Sequence, residues 1–125
     1  MSRQVLLVDD EVALLQGLTL FLENAGYEVL TATDAGAAME VLGGNRPEAI
    51  VCDVRLPGMT GPEFYAALQQ HPDWQQIPFV FLTGAGKDAM LLDGEPDSGR
   101  KRVLTKPFDP EDLVDMLGEE VMSQP

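Results

Sequence analysis

Cysteine and histidine each occur once in these 125 residues, and aromatic residues make up only 6%. The single cysteine, Cys52, excludes an internal disulfide and fits a reduced compartment. The single histidine, His71, has no cluster of ligating residues around it, so no histidine metal site is expected. No apolar run approaches the ~20 residues that a membrane span needs. The opening Met1-Ser2-Arg3-Gln4 lacks the apolar segment of a secretory leader, and a cytoplasmic location is expected. Basic residues are also scarce. Eight Lys and Arg stand against 21 Asp and Glu, a net charge of −13. That balance excludes a direct nucleic-acid footprint and an anionic membrane surface. Repeats, low-complexity tracts and interdomain linkers are missing too. What remains is 45% apolar, enough to bury one core, so residues 1–125 are expected to form one domain.

Val5-Leu6-Leu7-Val8 is a continuous apolar run and reads as a first strand, buried on both faces. It ends in Asp9-Asp10-Glu11. From Val12 to Ala25, Leu14, Leu15, Leu18, Phe21 and Leu22 recur at helical intervals, and Gly26 closes the helix. Glu28–Thr33 reads as a second strand. Asp34 caps a helix over Ala35–Leu42, stopped by Gly43-Gly44. Ala49-Ile50-Val51-Cys52-Asp53 shows no alternation, so it is a doubly buried strand ending in a carboxylate, and Pro57-Gly58 turn the chain just beyond. Gly61-Pro62 opens a third helix with Phe64, Ala67 and Leu68 inward, ended by His71-Pro72. Ile77–Leu82 is a fourth apolar run, ending at Thr83-Gly84. Val103-Leu104-Thr105 is a fifth, followed by Lys106-Pro107-Phe108. Asp109 caps a last helix with Leu113, Met116, Leu117 and Val121 on one side. Strands alternating with helices imply βαβ units. The predicted fold is α/β: a single-domain (βα)5 flavodoxin-like three-layer sandwich with a parallel sheet in the order 2-1-3-4-5.

In a parallel sheet all strand ends lie on one edge, which collects Asp9, Asp10, Asp53, Thr83 and Lys106. Three adjoining carboxylates repel one another, and Lys106 offsets only part of that charge. A hard divalent cation would supply the rest. Mg2+ suits an all-oxygen site of carboxylates, a carbonyl and a phosphate oxygen. A carboxylate nucleophile, a metal, an ammonium and a hydroxyl together fit attack of a carboxylate on phosphorus. A phosphoryl group so formed brings charge and strong acceptors, and Thr83 would donate to it and move with its loop.

The set Val8-Asp9-Asp10-Glu11, Asp53 before Leu56-Pro57-Gly58-Met59-Thr60-Gly61, Thr83, and Thr105-Lys106-Pro107-Phe108 resembles the receiver domain of two-component response regulators. The resemblance covers nearly the whole chain, and five matches in order carry it. It implies that Asp53 is the phosphoacceptor. Asp10 would then bind Mg2+ directly, Asp9 through water, and the backbone carbonyl of Arg55 would be a further ligand. Lys106 would pair with Asp53 or its phosphoryl group, Thr83 would be the switch hydroxyl, and the Lys106–Pro107 bond would be cis. The phosphodonor would be a phosphohistidine on a sensor histidine kinase or a histidine phosphotransfer protein. The output partner, a separate protein or a further domain, is not named by these residues.

Two departures from the family pattern stand out. Val103 occupies the position, three before the lysine, where family members often carry an aromatic that turns inward with the switch threonine. Between Ala85 and Arg102, Gly86, Gly94, Pro96 and Gly99 disfavour a regular helix by several kcal/mol, so the fourth helix is expected to be short or irregular. Other residues have plainer readings. Cys52 is a small buried hydrophobe, His71 an exposed residue at a helix end, Trp74 a local packing group, and Arg100-Lys101-Arg102 a solvated loop. Arg55 either reaches the phosphoryl group or Glu11, or serves through its carbonyl alone. Two alternatives belong to other classes: a receiver-like interaction module without phosphorylation, and an aspartyl-nucleophile phosphatase. Against the second, Arg55 stands where such enzymes place a second acid.

Overall fold

The computed structural model describes residues 3–84 and 101–122. Five strands form one parallel sheet: β1 (Arg3–Val8), β2 (Tyr27–Ala32), β3 (Ala49–Asp53), β4 (Phe79–Thr83) and β5 (Lys101–Thr105). Their order is β2-β1-β3-β4-β5, as predicted. Four helices lie among the described residues: α1 (Val12–Asn24), α2 (Ala35–Gly44), α3 (Gly61–Gln69) and α4 (Pro110–Met122). The irregular helix expected between Ala85 and Arg102 falls almost wholly outside the described residues.

Pleating sorts each strand's side chains onto two faces. Leu6, Val8, Ile50, Cys52, Phe79 and Phe81 pack in one layer with Ala38 and Leu42 of α2 and Phe64 and Leu68 of α3. Val5, Leu7, Ala49, Val51, Val80 and Leu82 pack in the other with Leu15, Leu18 and Leu22 of α1 and Leu113 and Leu117 of α4. The central strands β3 and β4 are buried at every position, which is why their sequences show no alternation. Cys52 is wholly buried among apolar neighbours, as expected.

Differences from the sequence reading fall at boundaries. β4 begins at Phe79, not Ile77, because Pro78 has no N–H for the ladder; its carbonyl still accepts from Ile50 N at 2.9 Å. β5 begins at Lys101, two residues earlier than predicted, and Lys101 and Arg102 pair with Phe79 and Val80 instead of lying in a solvated loop. β5 is an edge strand, where charged residues are tolerated. α2 continues through Gly43-Gly44 to a C-cap at Asn45, whose side-chain amide donates to Val41 O at 3.0 Å. Gly26 follows the α1 C-cap Ala25 with φ +99°, the left-handed geometry that favours glycine there. His71 is half-buried and stacks on Trp74 with ring centroids 3.9 Å apart.

Candidate functional site

Each acid is delivered by the end of a strand. Asp9 directly follows β1, and its backbone N–H donates to Ala32 O of β2 at 3.1 Å, so the ladder runs on to the carboxylate. Asp53 is the last residue of β3 and pairs in register with Leu82 of β4. Val8 pairs with Cys52 on one face, so Asp9 and Asp53 both belong to the opposite face. Val103 belongs to the first face and Leu104 to the second, so alternation returns Lys106 to the side of the two acids. Parity alone therefore converges Asp9, Asp53 and Lys106, and Asp10, two residues ahead of α1, lies beside them.

The contacts agree. Lys106 Nζ lies 3.4 Å from Asp9 Oδ2 and 3.6 Å from Asp53 Oδ2. One carboxylate oxygen from each of Asp9, Asp10 and Asp53 falls within a 4.8 Å cluster. Asp9 and Asp53 are buried, while Asp10 is exposed. Asp9 Oδ1 accepts the Glu11 N–H at 2.9 Å. The nearby backbone N–H groups of Arg55 and Val54 favour the ionised Asp53 carboxylate, while the Val54 N–H donates to Leu82 O at 3.0 Å.

Electrostatics follow from this crowding. Burial is the largest cause lifting Asp9 above the ordinary carboxylate range, partly offset by the Glu11 N–H and Lys106. Asp53 is lifted by burial and then by Asp9, against Lys106 and its two backbone donors. Burial works to lower the Lys106 ammonium, but Asp53, Asp9 and Glu11 together outweigh it and raise it. An ammonium between two buried carboxylates thus stays charged, and the acids remain under-neutralised. The donor set is oxygen throughout, which fits a hard divalent cation.

Thr83 is buried at the end of β4, on the face of Phe79 and Phe81 and not on the face of the acids. Its hydroxyl donates to Gly84 O at 3.0 Å. Its own carbonyl accepts the Lys106 N–H at 2.7 Å, which ties the hydroxyl's strand to the lysine's strand through the backbone. The Lys106–Pro107 bond is cis. Arg55 is exposed, and its backbone N–H favours the ionised Asp53 carboxylate. Val103 is half-buried against the α2/α3 layer, and Tyr65 of α3 meets Phe79 and Phe81 edge-on at 5.2 and 5.9 Å.

One positioning element is not apparent from the strand ends alone. Thr60 caps α3 and forms a capping box with Glu63: Thr60 Oγ1 accepts the Glu63 N–H at 3.2 Å, and Glu63 Oε1 accepts the Thr60 N–H at 2.9 Å. The signal was present, since Thr-x-x-Glu before an apolar run is the capping-box pattern. The box secures the start of α3, and Gly61 N then donates to Val54 O at 2.7 Å, next to Asp53.

A parallel five-stranded sheet with a buried carboxylate cluster and a lysine at its carboxyl edge is the architecture of a known signalling class. Residues 5–118 match the family model of the response regulator receiver domain, and the chain belongs to that family. It is 34% identical over 116 residues to the phosphate regulon transcriptional regulatory protein PhoB of Pseudomonas aeruginosa, covering 93% of this chain and 50% of that protein. It is 34% identical over 110 residues to response regulator Rre1 of Synechocystis, covering 87% of this chain and 47% of that protein. The chain therefore spans about half the length of these curated relatives. The chemotaxis response regulator CheY4 of Vibrio cholerae superposes with a TM-score of 0.83 at 32% identity, over 96% of this chain and 99% of that one. The receiver domain of a sensor histidine kinase from Pseudomonas aeruginosa superposes with a TM-score of 0.84 at 25% identity, over 98% of this chain and all of that one. That receiver was crystallised with a magnesium ion coordinated in its active-site cleft.

Proposed function

We propose that Asp53 is the phosphoacceptor of this receiver and takes its phosphoryl group from a phosphohistidine on a sensor histidine kinase or a histidine phosphotransfer protein. The observation that carries this is the buried Asp53 carboxylate, 3.6 Å from Lys106 Nζ and clustered with Asp9 and Asp10. Asp53 Oδ forms the new O–P bond while the P–N bond to the donor imidazole breaks, leaving its electron pair on the nitrogen. Lys106 neutralises charge on the phosphoryl oxygens. The all-oxygen cluster fits Mg2+, which Asp10, Asp53 and the Arg55 carbonyl would hold directly and Asp9 through water. That ion supplies positive charge to the phosphoryl oxygens.

Thr83 supplies the switch. Its single hydroxyl hydrogen is engaged by Gly84 O. Donating to a phosphoryl oxygen requires the hydroxyl to leave the Gly84 carbonyl. The chain acts as one receiver unit, modifies only itself and works in the cytoplasm. It signals to an output protein or domain and does not contact nucleic acid or membrane itself. Among the described residues, no helix is long and apolar enough to cross a membrane.

The test uses a small phosphodonor with Mg2+ and a phosphate-affinity gel, run beside Asp53→Asn. A shifted band in the wild type that is lost in the variant is the expected result. A wild type without a shifted band rules the proposal out.

A further inference from the structure

Gly61 lies on the path between α3 and the proposed acceptor, and its lack of a side chain has a spatial reason. It is not one of the residues with positive φ, so backbone conformation does not demand glycine there. Space does. A Cβ at position 61 would lie 2.6 Å from Asp53 O, 3.1 Å from Val54 Cα and 3.4 Å from the Asp53 carbonyl carbon. All three are backbone atoms, which cannot rotate aside as a side-chain tip can. By contrast, a Cβ at Gly17, Gly43, Gly44 or Gly118 would meet nothing within 4 Å.

Neither side of this contact is free to retreat. On the helix side, Gly61 N is bonded to Val54 O at 2.7 Å, the Thr60–Glu63 box fixes the first turn, and Phe64, wholly buried, anchors α3 against Phe79. On the strand side, Val54 N is bonded to Leu82 O at 3.0 Å, and Asp53 O also accepts from Cys52 Sγ at 3.2 Å. Any side chain at 61 therefore pushes on the peptide that joins Asp53 to Val54. The carboxylate hangs from that peptide, and the Arg55 carbonyl lies one residue beyond it.

We infer that Gly61 is a positioning residue for phosphoryl transfer: its empty Cβ position lets α3 press directly on the Asp53–Val54 peptide and so sets where the acceptor carboxylate stands. This rests on the reading of Asp53 as the phosphoacceptor. A methyl group must displace the strand end by several tenths of an ångström to reach ordinary contact. Reactive groups lose rate steeply at such misplacements, up to about a hundredfold for 1 Å.

The experiment compares wild type, Gly61→Ala, Gly17→Ala and the double variant. Gly17→Ala adds the same methyl group where nothing is touched. Three readouts are taken: melting temperature, the Val54 amide shift in the metal-free protein, and the initial rate of Asp53 phosphorylation at saturating Mg2+ and acetyl phosphate. Gly61→Ala is expected to fold, to move the Val54 amide signal, and to lower the saturated rate about tenfold. Gly17→Ala is expected to leave the amide signal and the rate unchanged. A Gly61→Ala protein with an unmoved amide and a rate within twofold of wild type overturns the inference. So does a Gly61 variant that fails to fold even beside Gly17→Ala, because the glycine is then needed by the fold and not by the site. If the wild type itself takes up no phosphoryl group on Asp53, the reading of the acceptor fails separately, and the amide shift still reports whether Gly61 sets the strand end.

Discussion

In the metal-free protein Asp53 shares a 4.8 Å cluster with two other acids. Two like charges at that separation repel by roughly 3 kcal/mol at an effective dielectric of about 20. Lys106 opposes this from 3.4 and 3.6 Å but is a single charge between two buried carboxylates. The two partners should therefore respond oppositely to neutral replacement. Asp53→Asn keeps the size of the side chain and an acceptor oxygen and removes a repelling charge, so it should stabilise the metal-free protein by about 1–2 kcal/mol. Lys106→Met should destabilise it by about as much, because two buried acids lose their counter-charge. Chemical denaturation in EDTA measures both. The pH dependence has a definite sign. Burial and Asp9 raise the folded-state Asp53 above its unfolded value, so its contribution to stability is full below the ordinary carboxylate pKa and is lost as pH rises through the raised one. The advantage of Asp53→Asn over wild type should thus be largest near pH 7 and shrink as pH falls through the carboxylate range. An advantage that is constant or grows with acid would show that Asp53 is not strained by its neighbours.

At the scale of elements, legibility followed burial. β1, β3 and β4 are continuous apolar runs, because both faces are covered by helices, and such runs are visible without any partner. The residues at their ends were legible for the same reason, since a carboxylate or hydroxyl closing a buried run has few structural uses. What was not legible depends on pairing. β5 starts at Lys101 because β4 offers Phe79 and Val80 as partners, and basic residues on an edge strand leave no apolar trace. Parity, which places Thr83 on the face opposite Asp9, Asp53 and Lys106, also requires the register. Gly61 looks like a helix opener in the sequence, and only the folded chain brings the Asp53 carbonyl to where its Cβ would be. The start of α3 can be tested as an element. Thr60→Ala removes the acceptor for the Glu63 N–H and should cost about 1 kcal/mol of stability. Glu63 is held below the ordinary glutamate range first by the Thr60 backbone N–H and then by the Thr60 hydroxyl, so the same substitution removes only the second cause and should move its titration, followed by NMR, only part of the way up. A wild-type Glu63 that titrates in the ordinary glutamate range would mean that the capping box does not persist in solution.

At the scale of the molecule, a net charge of −13 makes the fold repel itself, and the site concentrates that repulsion at one edge of the sheet. A divalent cation should therefore act on the whole protein as well as on the chemistry. A ligand that binds only the folded state at ten times its dissociation constant adds about 1.4 kcal/mol. For a domain of this size that corresponds to a rise of about 5 °C in melting temperature. Screening of the general negative charge also raises the melting temperature, and the two effects separate by their residue dependence. Mg2+ should stabilise the wild type beyond a sodium chloride control of equal ionic strength, and EDTA should reverse the gain. Asp10→Asn should abolish that excess while keeping the response to sodium chloride. Asp10 is exposed, so its substitution leaves the core intact and any lost increment belongs to the cluster. The excess should also fade as pH falls, because Asp9 and Asp53 are raised and protonate earlier than ordinary carboxylates, and a protonated ligand gives up the metal. Equal stabilisation of wild type and Asp10→Asn by Mg2+ would assign the effect to screening and leave the acidic cluster without a cation-binding role.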